Sequence, residues 1–165
     1  MLRIVNRIGD LSFLELKRIY LQSNIETAKR DYPQRDDGLL QVELDFYDYL
    51  RQVFFKTDGA YYCLWEEQGQ IVSALRMEPF QDGLLVSGLE TEPSCRGCGY
   101  ASKLLDAALK KAAPTTVYSH IFRDNPASIA VHQKCGFEKI TNFAVFLDGS
   151  VSQKADTYCK KFVNN

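Results

Sequence analysis

The sequence predicts an α/β (α+β) protein with a mixed sheet and helices on both faces, in the order β-α-α-β-β-β-α-β-α-β-β. Three observations predict it. Short runs rich in β-branched and aromatic residues alternate with longer stretches whose apolar residues recur at helical spacing. Residues 60–66 and 71–77 flank Glu67-Gln68-Gly69-Gln70, a hairpin signal. The apolar run 84–91 leads through a glycine-bearing turn straight into a strongly amphipathic helix. With 165 residues, 45% of them hydrophobic, and neither repeat nor linker, the chain reads as one domain over 1–165 with a sizeable core.

Each element has its own justification. Residues 2–5 are a short apolar run suited to an edge strand. Between 11 and 28, Leu11, Leu14, Leu16, Ile19, Tyr20 and Ile25 suit a helix packed by one face. Residues 31–38 are polar and turn-rich and read as a loop, and a second helix covers 39–55 with core aromatics at Phe46, Tyr47, Tyr49, Phe54 and Phe55. Gln81-Asp82-Gly83 turns the chain into the strand 84–91. In the helix that follows, Ala101, Leu104, Leu105, Ala108, Leu109 and Ala112 lie inside, Lys103, Asp106, Lys110 and Lys111 lie outside, and Pro114 stops it. Residues 115–121 read as a buried strand. A short helix comes next, with Asn125 as N-cap, Pro126 in its first position and Gly136 at the left-handed C′ position. Residues 138–147, the turn Asp148-Gly149-Ser150 and residues 156–162 form a closing hairpin.

The segment Pro93-Ser94-Cys95-Arg96-Gly97-Cys98-Gly99-Tyr100-Ala101 carries the most chemistry. A strand, a tight glycine turn and a helix start gather anions, because first-turn N–H groups lack intrahelical partners and the helix dipole places positive charge there. Glycines let the N–H groups converge, and Arg96 adds a fork-shaped cation. The expected ligand therefore carries phosphates. No Gly-x-x-x-x-Gly-Lys-Ser/Thr string occurs, and the Gly-x-Gly-x-x-Gly fingerprint fails at Ser102. An ordinary β-to-α turn stays open as the bland alternative.

Composition excludes some partners. Twenty basic against 21 acidic residues leave no footprint for nucleic acid. No apolar run reaches a membrane span, no signal-peptide core is expected at the N-terminus, and five cysteines suggest a reducing cytoplasm. Cys95 and Cys98 form a C-x-x-C without the second ligand pair that structural zinc needs, so no metal is expected. The helix start would nonetheless favour a Cys98 thiolate.

Arg96-x-x-Gly99-x-Ala101 after a strand and a proline resembles the acetyl-CoA pyrophosphate loop of the GNAT N-acetyltransferase superfamily. Asn125-Pro-Ala-Ser128-Ile-Ala-Val-His132-Gln-Lys-Cys-Gly136-Phe137 resembles the second segment of the same family. The motifs cover about 84–137, and residues 1–80 match only in element order. The resemblance implies a GNAT-like, mostly antiparallel sheet in which two parallel strands splay apart and admit pantetheine between them. It implies acetyl-CoA as cosubstrate, with contacts from Leu89, Glu90 and Thr91, from Arg96, Gly97, Cys98, Gly99, Tyr100, Ala101 and Ser102, and from Asn125 and Ser128. Residues 1–80 would shape the acceptor site.

The implied activity is transfer of acetyl to a primary amine by direct attack in a ternary complex. A ping-pong route through Cys98 or Cys135 is the less favoured path. The family commonly assigns proton delivery at the leaving sulfur to a tyrosine; here His132 stands in its place, as in phosphinothricin-type branches, and is the expected acid. Glu90 is the expected base, ahead of Glu66 and Glu78, with Arg76 beside them on the hairpin; His120 is a second imidazole near the strand end. The alternative is a non-catalytic acyl-CoA-binding or sensory module. The acceptor, a small-molecule or peptide amine, stays open, since Asp31, Asp36 and Asp37 face Arg30 and Arg35. Oligomeric state stays open too, a homodimer among the options.

Overall fold

Seven strands form one twisted sheet, and every neighbouring pair but one is antiparallel. The structure is a computed structural model that describes residues 1–162; the last three residues of the expected domain lie outside the described residues. The sheet strands in chain order are β1 (Leu2–Val5), β2 (Tyr61–Glu67), β3 (Gln70–Phe80), β4 (Gly83–Thr91), β5 (Val117–Phe122), β6 (Glu138–Thr141) and, after a separate two-stranded hairpin of β7 (Ala144–Val145) and β8 (Val151–Ser152), β9 (Ala155–Lys160). In space their order is β1-β2-β3-β4-β5-β9-β6. Only β4 and β5 run parallel.

Helices α1 (Phe13–Ile19), α2 (Leu21–Asp31) and α3 (Gly38–Gln52) belong to one face; α4 (Tyr100–Ala112) and α5 (Pro126–Lys134) belong to the other. Side chains alternate across β3, so Ala74 meets Leu16, Leu50 and Phe54 while Leu75 and Met77 meet Leu104, Leu105 and Ala108. Both layers are apolar cores, which fixes the sheet register because a one-residue slip would exchange them. The expected mixed, mostly antiparallel sheet with helices on both faces is the architecture found. Among the described residues no helix is long and apolar enough to cross a membrane.

Two expected elements differ. The helix expected over 11–28 is divided at Tyr20, whose φ −90 and ψ 5 turn the chain between α1 and α2. The Tyr20 hydroxyl donates to the Gly88 carbonyl at 2.7 Å and accepts from Tyr62 at 2.9 Å, so a tertiary anchor redirects the helix axis. The strand expected over 138–147 ends at Thr141. Thr141 and Thr157 both donate to the Phe143 carbonyl, at 2.7 and 2.8 Å, and Arg123 donates to the Asn142 carbonyl. Those side chains take the acceptors that a continuing ladder would use, and the chain leaves the sheet as the β7–β8 hairpin, with Asp148-Gly149-Ser150 at its tip.

Candidate active site

The site begins where β4 and β5 separate. They pair only over Leu84–Val86 and Val117–Ser119, after which β5 stays with β9 and β4 stays with β3. A bulge marks the parting. Ala74 faces Glu90 and Arg76 faces Ser87, so Gly88 and Leu89 together oppose Leu75. Gly88 has φ +60, and a Cβ there would lie 3.3 Å from Arg76 Nη2 and 3.4 Å from the Tyr20 hydroxyl, so only glycine suits the position. Two clefts meet at this gap. One, of about 810 Å³, runs along the end of β4 and the 95–102 loop to α5 and is closed on one side by Gln22, Ser23 and Glu26 of α2. The other, of about 590 Å³, lies on the α3 side and is lined by Tyr49, Arg76, Glu78, His120 and Phe146. Leu89, Glu90, Asn125 and Ser128 line both.

The loop before α4 is an open nest. Gly97 and Gly99 adopt φ +78 and +77, and nothing lies within 4 Å of a Cβ built on either. Among the described residues, the N–H groups of residues 97–102 find no hydrogen-bond acceptor. Free N–H groups at the start of a 13-residue helix can hold an anion. Of the residues expected to hold the cofactor, all line the first cleft except Cys98, whose exposed thiol turns onto the Arg96 carbonyl at 3.8 Å. Arg96 turns away from the nest. It donates to Gln22 Oε1 at 2.5 Å and to the Thr91 carbonyl at 3.3 Å, and its Nη2 lies 3.6 Å from Glu90 Oε2.

Residues 19–137 match the model of the acetyltransferase (GNAT) family. The chain belongs to that family. Among solved structures it is similar to an N-acetyltransferase from Staphylococcus aureus Mu50 (22% identity, TM-score 0.64, covering 98% of this chain and 97% of that one). It is also similar to aminoglycoside 6'-acetyltransferase type Ii (16%, 0.65, 100% and 99%). A structure from Bacillus anthracis str. Ames in complex with acetyl coenzyme A matches at 16% and TM-score 0.53, covering 69% and 70%. Likeness at these identities speaks for the fold. Among curated proteins no sequence matches.

Within this GNAT frame the titratable groups sort by environment. Burial pushes the Glu90 carboxyl up from its ordinary value, and the Arg96 guanidinium pulls it partly back. His132 is 2% exposed and bonded at both ring nitrogens. Its Nδ1 lies 2.8 Å from the Ser128 carbonyl, which can only accept, so Nδ1 carries the proton; Nε2 then accepts from the Ser119 hydroxyl at 3.0 Å. Burial lowers its pKa, so the ring is neutral at pH 7, opposite to the imidazolium that a general acid requires. Asn125 caps α5, its Oδ1 accepting from Ser128 N at 3.0 Å. His120 faces the second cleft. Thr157 spends its hydroxyl proton on Phe143, so His120 Nδ1 donates to Thr157 Oγ1 at 3.1 Å and Nε2 keeps a lone pair without a partner. Glu66 lines neither cleft, and Glu78 is buried with the Tyr49 hydroxyl on its Oε1.

Sequence motifs alone did not point to Tyr20, Gln22 or Ser119. Each lies in an element with ordinary periodicity and reaches the site only through the packing of α1 and α2 over β4 or of α5 under β5.

Proposed function

We propose that this GNAT protein is an N-acetyltransferase that moves acetyl from acetyl-CoA to a primary amine by direct attack in a ternary complex. The observation that carries the reading is the meeting of two clefts at Leu89 and Glu90, one running to the glycine loop before α4 and the other opening toward α3. A thioester held along β4 and an amine entering from the α3 side would come together at that gap, which supplies proximity and orientation. The C–N bond forms as the C–S bond breaks. Glu90 takes the proton lost by the amine, and coenzyme A leaves as its thiolate, which then takes a proton from solvent. Leu89, Glu90 and Thr91 hold the pantetheine arm, the backbone of residues 97–102 surrounds the pyrophosphate, and Asn125 and Ser128 flank the reacting groups. An acyl-cysteine has less support: Cys98 lies outside the cleft and burial raises the Cys135 thiol. All five cysteines are free, in keeping with a reducing cytoplasm.

The test is a panel of amines mixed with acetyl-CoA and the purified protein, followed by thiol release and product mass. Stoichiometric free thiol and N-acetylated amine is the expected result. Tight acetyl-CoA binding without transfer to any amine class would replace the reading with that of a non-catalytic acyl-CoA module.

His132 receives a positioning role in this scheme, because its two hydrogen bonds fix Ser119 and the first turn of α5. The departing thiolate is a good leaving group and needs little help from an acid. His132→Gln keeps one donor and one acceptor but cannot titrate. Its expected turnover is within about threefold of wild type with an unchanged pH profile, whereas loss of a general acid costs on the order of 100-fold or more. A 100-fold loss together with a vanished alkaline limb would restore His132 as the acid.

A further inference from the structure

Arg76 is the one arginine that the described residues leave without a hydrogen-bond or ion-pair partner. The chain has eight others, and each meets a carboxylate or a carbonyl: Arg123, for example, reaches Asp156, Gln153 and Asn142. Among the described residues no carboxylate oxygen approaches the Arg76 guanidinium within 4.0 Å, and its Nε is buried with no acceptor. Buried polar groups are nearly always satisfied, and a guanidinium offers five donors in a planar fork that matches a carboxylate. An unsatisfied fork on a cleft wall marks a place for an anion.

The surroundings hold the fork ready. The guanidinium carbon lies 5.3 Å from the ring centroids of both Phe46 and Tyr49, which orients its plane. Glu78, two residues along the same face of β3, offsets the charge from beyond ion-pair distance while its own Oε1 takes the Tyr49 hydroxyl. The cation is thus tolerated in the free protein, yet its donors stay available. Nη2 lies beside Gly88, 3.3 Å from where a Cβ on that residue would be. Gly88 is adjacent to Leu89 and Glu90, where the two clefts meet.

We infer that the acceptor of this acetyltransferase is an amine that also carries a carboxylate, which Arg76 grips while the amine faces Glu90. The inference rests on the amine-acetylation reading and narrows it. Arg76 Nη2 lies beside Gly88, and Gly88 is two residues from Glu90 on the same strand, about 7 Å along it, so the carboxylate and the amine of one short acceptor can reach both. That spacing selects a free amino acid or another short amino-carboxylate. A half-buried, unpaired cation on the cleft wall also disfavours polycationic acceptors.

The experiment compares amino acids with their carboxamides and with the corresponding decarboxylated amines, in wild type, Arg76→Met and Arg76→Lys, by thiol release. Wild type should prefer the free acids by on the order of 100-fold or more in kcat/KM, because a site built to bond a polar group rejects the analogue that lacks it. Arg76→Met should erase the preference through acceptor KM while calorimetric acetyl-CoA affinity stays unchanged; Arg76→Lys should keep part of it. Carboxamides acetylated as well as the acids by wild type would overturn the inference and leave N-acetylation standing, and this comparison needs no variant to fold. If no amine is acetylated, the function reading fails. Thermal shifts then decide the inference separately: with coenzyme A bound, an N-acetyl amino acid must stabilise wild type more than its amide does, and equal shifts would overturn it.

Discussion

Gly99→Glu is expected to abolish acetyl-CoA binding at concentrations that saturate the wild type, a loss on the order of 100-fold or more in affinity. Three effects act together. Gly99 adopts φ +77, where a side chain costs about 1–2 kcal/mol of backbone strain. No atom lies within 4 Å of its Cβ position, so the new side chain would occupy the open space that the nest faces. Its carboxylate would then oppose a diphosphate at the point where free N–H groups and the dipole of α4 favour negative charge. Gly99→Ala separates these effects, since it keeps the strain and removes the charge, and should weaken binding only several-fold. Calorimetry on folded protein, checked by melting temperature, reads both variants. Wild-type affinity in Gly99→Glu would remove the nest as the phosphate site.

The part of this site that was legible in the sequence is the part made by contiguous residues. Strand, glycine turn and helix start are local, and their chemistry follows from backbone geometry that Gly97, Gly99 and the spacing of Leu104, Leu105 and Ala108 announce. The same holds for α5, whose cap at Asn125 and left-handed Gly136 bound it as expected. Illegible were the features that two distant segments make together. Tyr20 fits a continuous helical pattern, and only its bond to the bulge at Gly88 shows why the helix divides there. Residues 142–143 read as strand because their alternation is good, yet Arg123, Thr141 and Thr157 claim their carbonyls from elsewhere in the chain. Arg96 read as a phosphate ligand by its place in the loop. The structure sets it on Glu90 and Gln22, a partnership that depends on where α2 lies. His132 read as an acid by its type, while burial lowers its pKa and its two hydrogen bonds occupy both ring nitrogens.

Glu90→Gln is expected to lower turnover by about 10²–10⁴ near neutral pH while leaving acetyl-CoA affinity within a few-fold of wild type, the range for a lost general base. The amide keeps the shape and the polar contacts of the side chain and removes only its ability to accept a proton. The pH dependence carries a sign that can be worked out. A base acts when deprotonated, so activity falls as pH drops through the Glu90 pKa. Burial raises that pKa above the ordinary glutamate value of about 4.3, and Arg96 limits the rise. Wild type should therefore show an acid limb displaced upward from ordinary glutamate titration. Glu90→Gln should lack it, and only the acceptor's own amine titration should remain. Arg96→Ala removes the cation that holds the carboxyl down, so it should move the limb to higher pH. The deficit of Glu90→Gln should also narrow as pH approaches the pKa of the amine, because an acceptor that arrives neutral has already given up its first proton. Full turnover in Glu90→Gln at saturating substrates and neutral pH would leave Glu90 a wall of the cleft and Arg96 its structural partner, and the amine's proton would then leave directly to water through the open end of the second cleft.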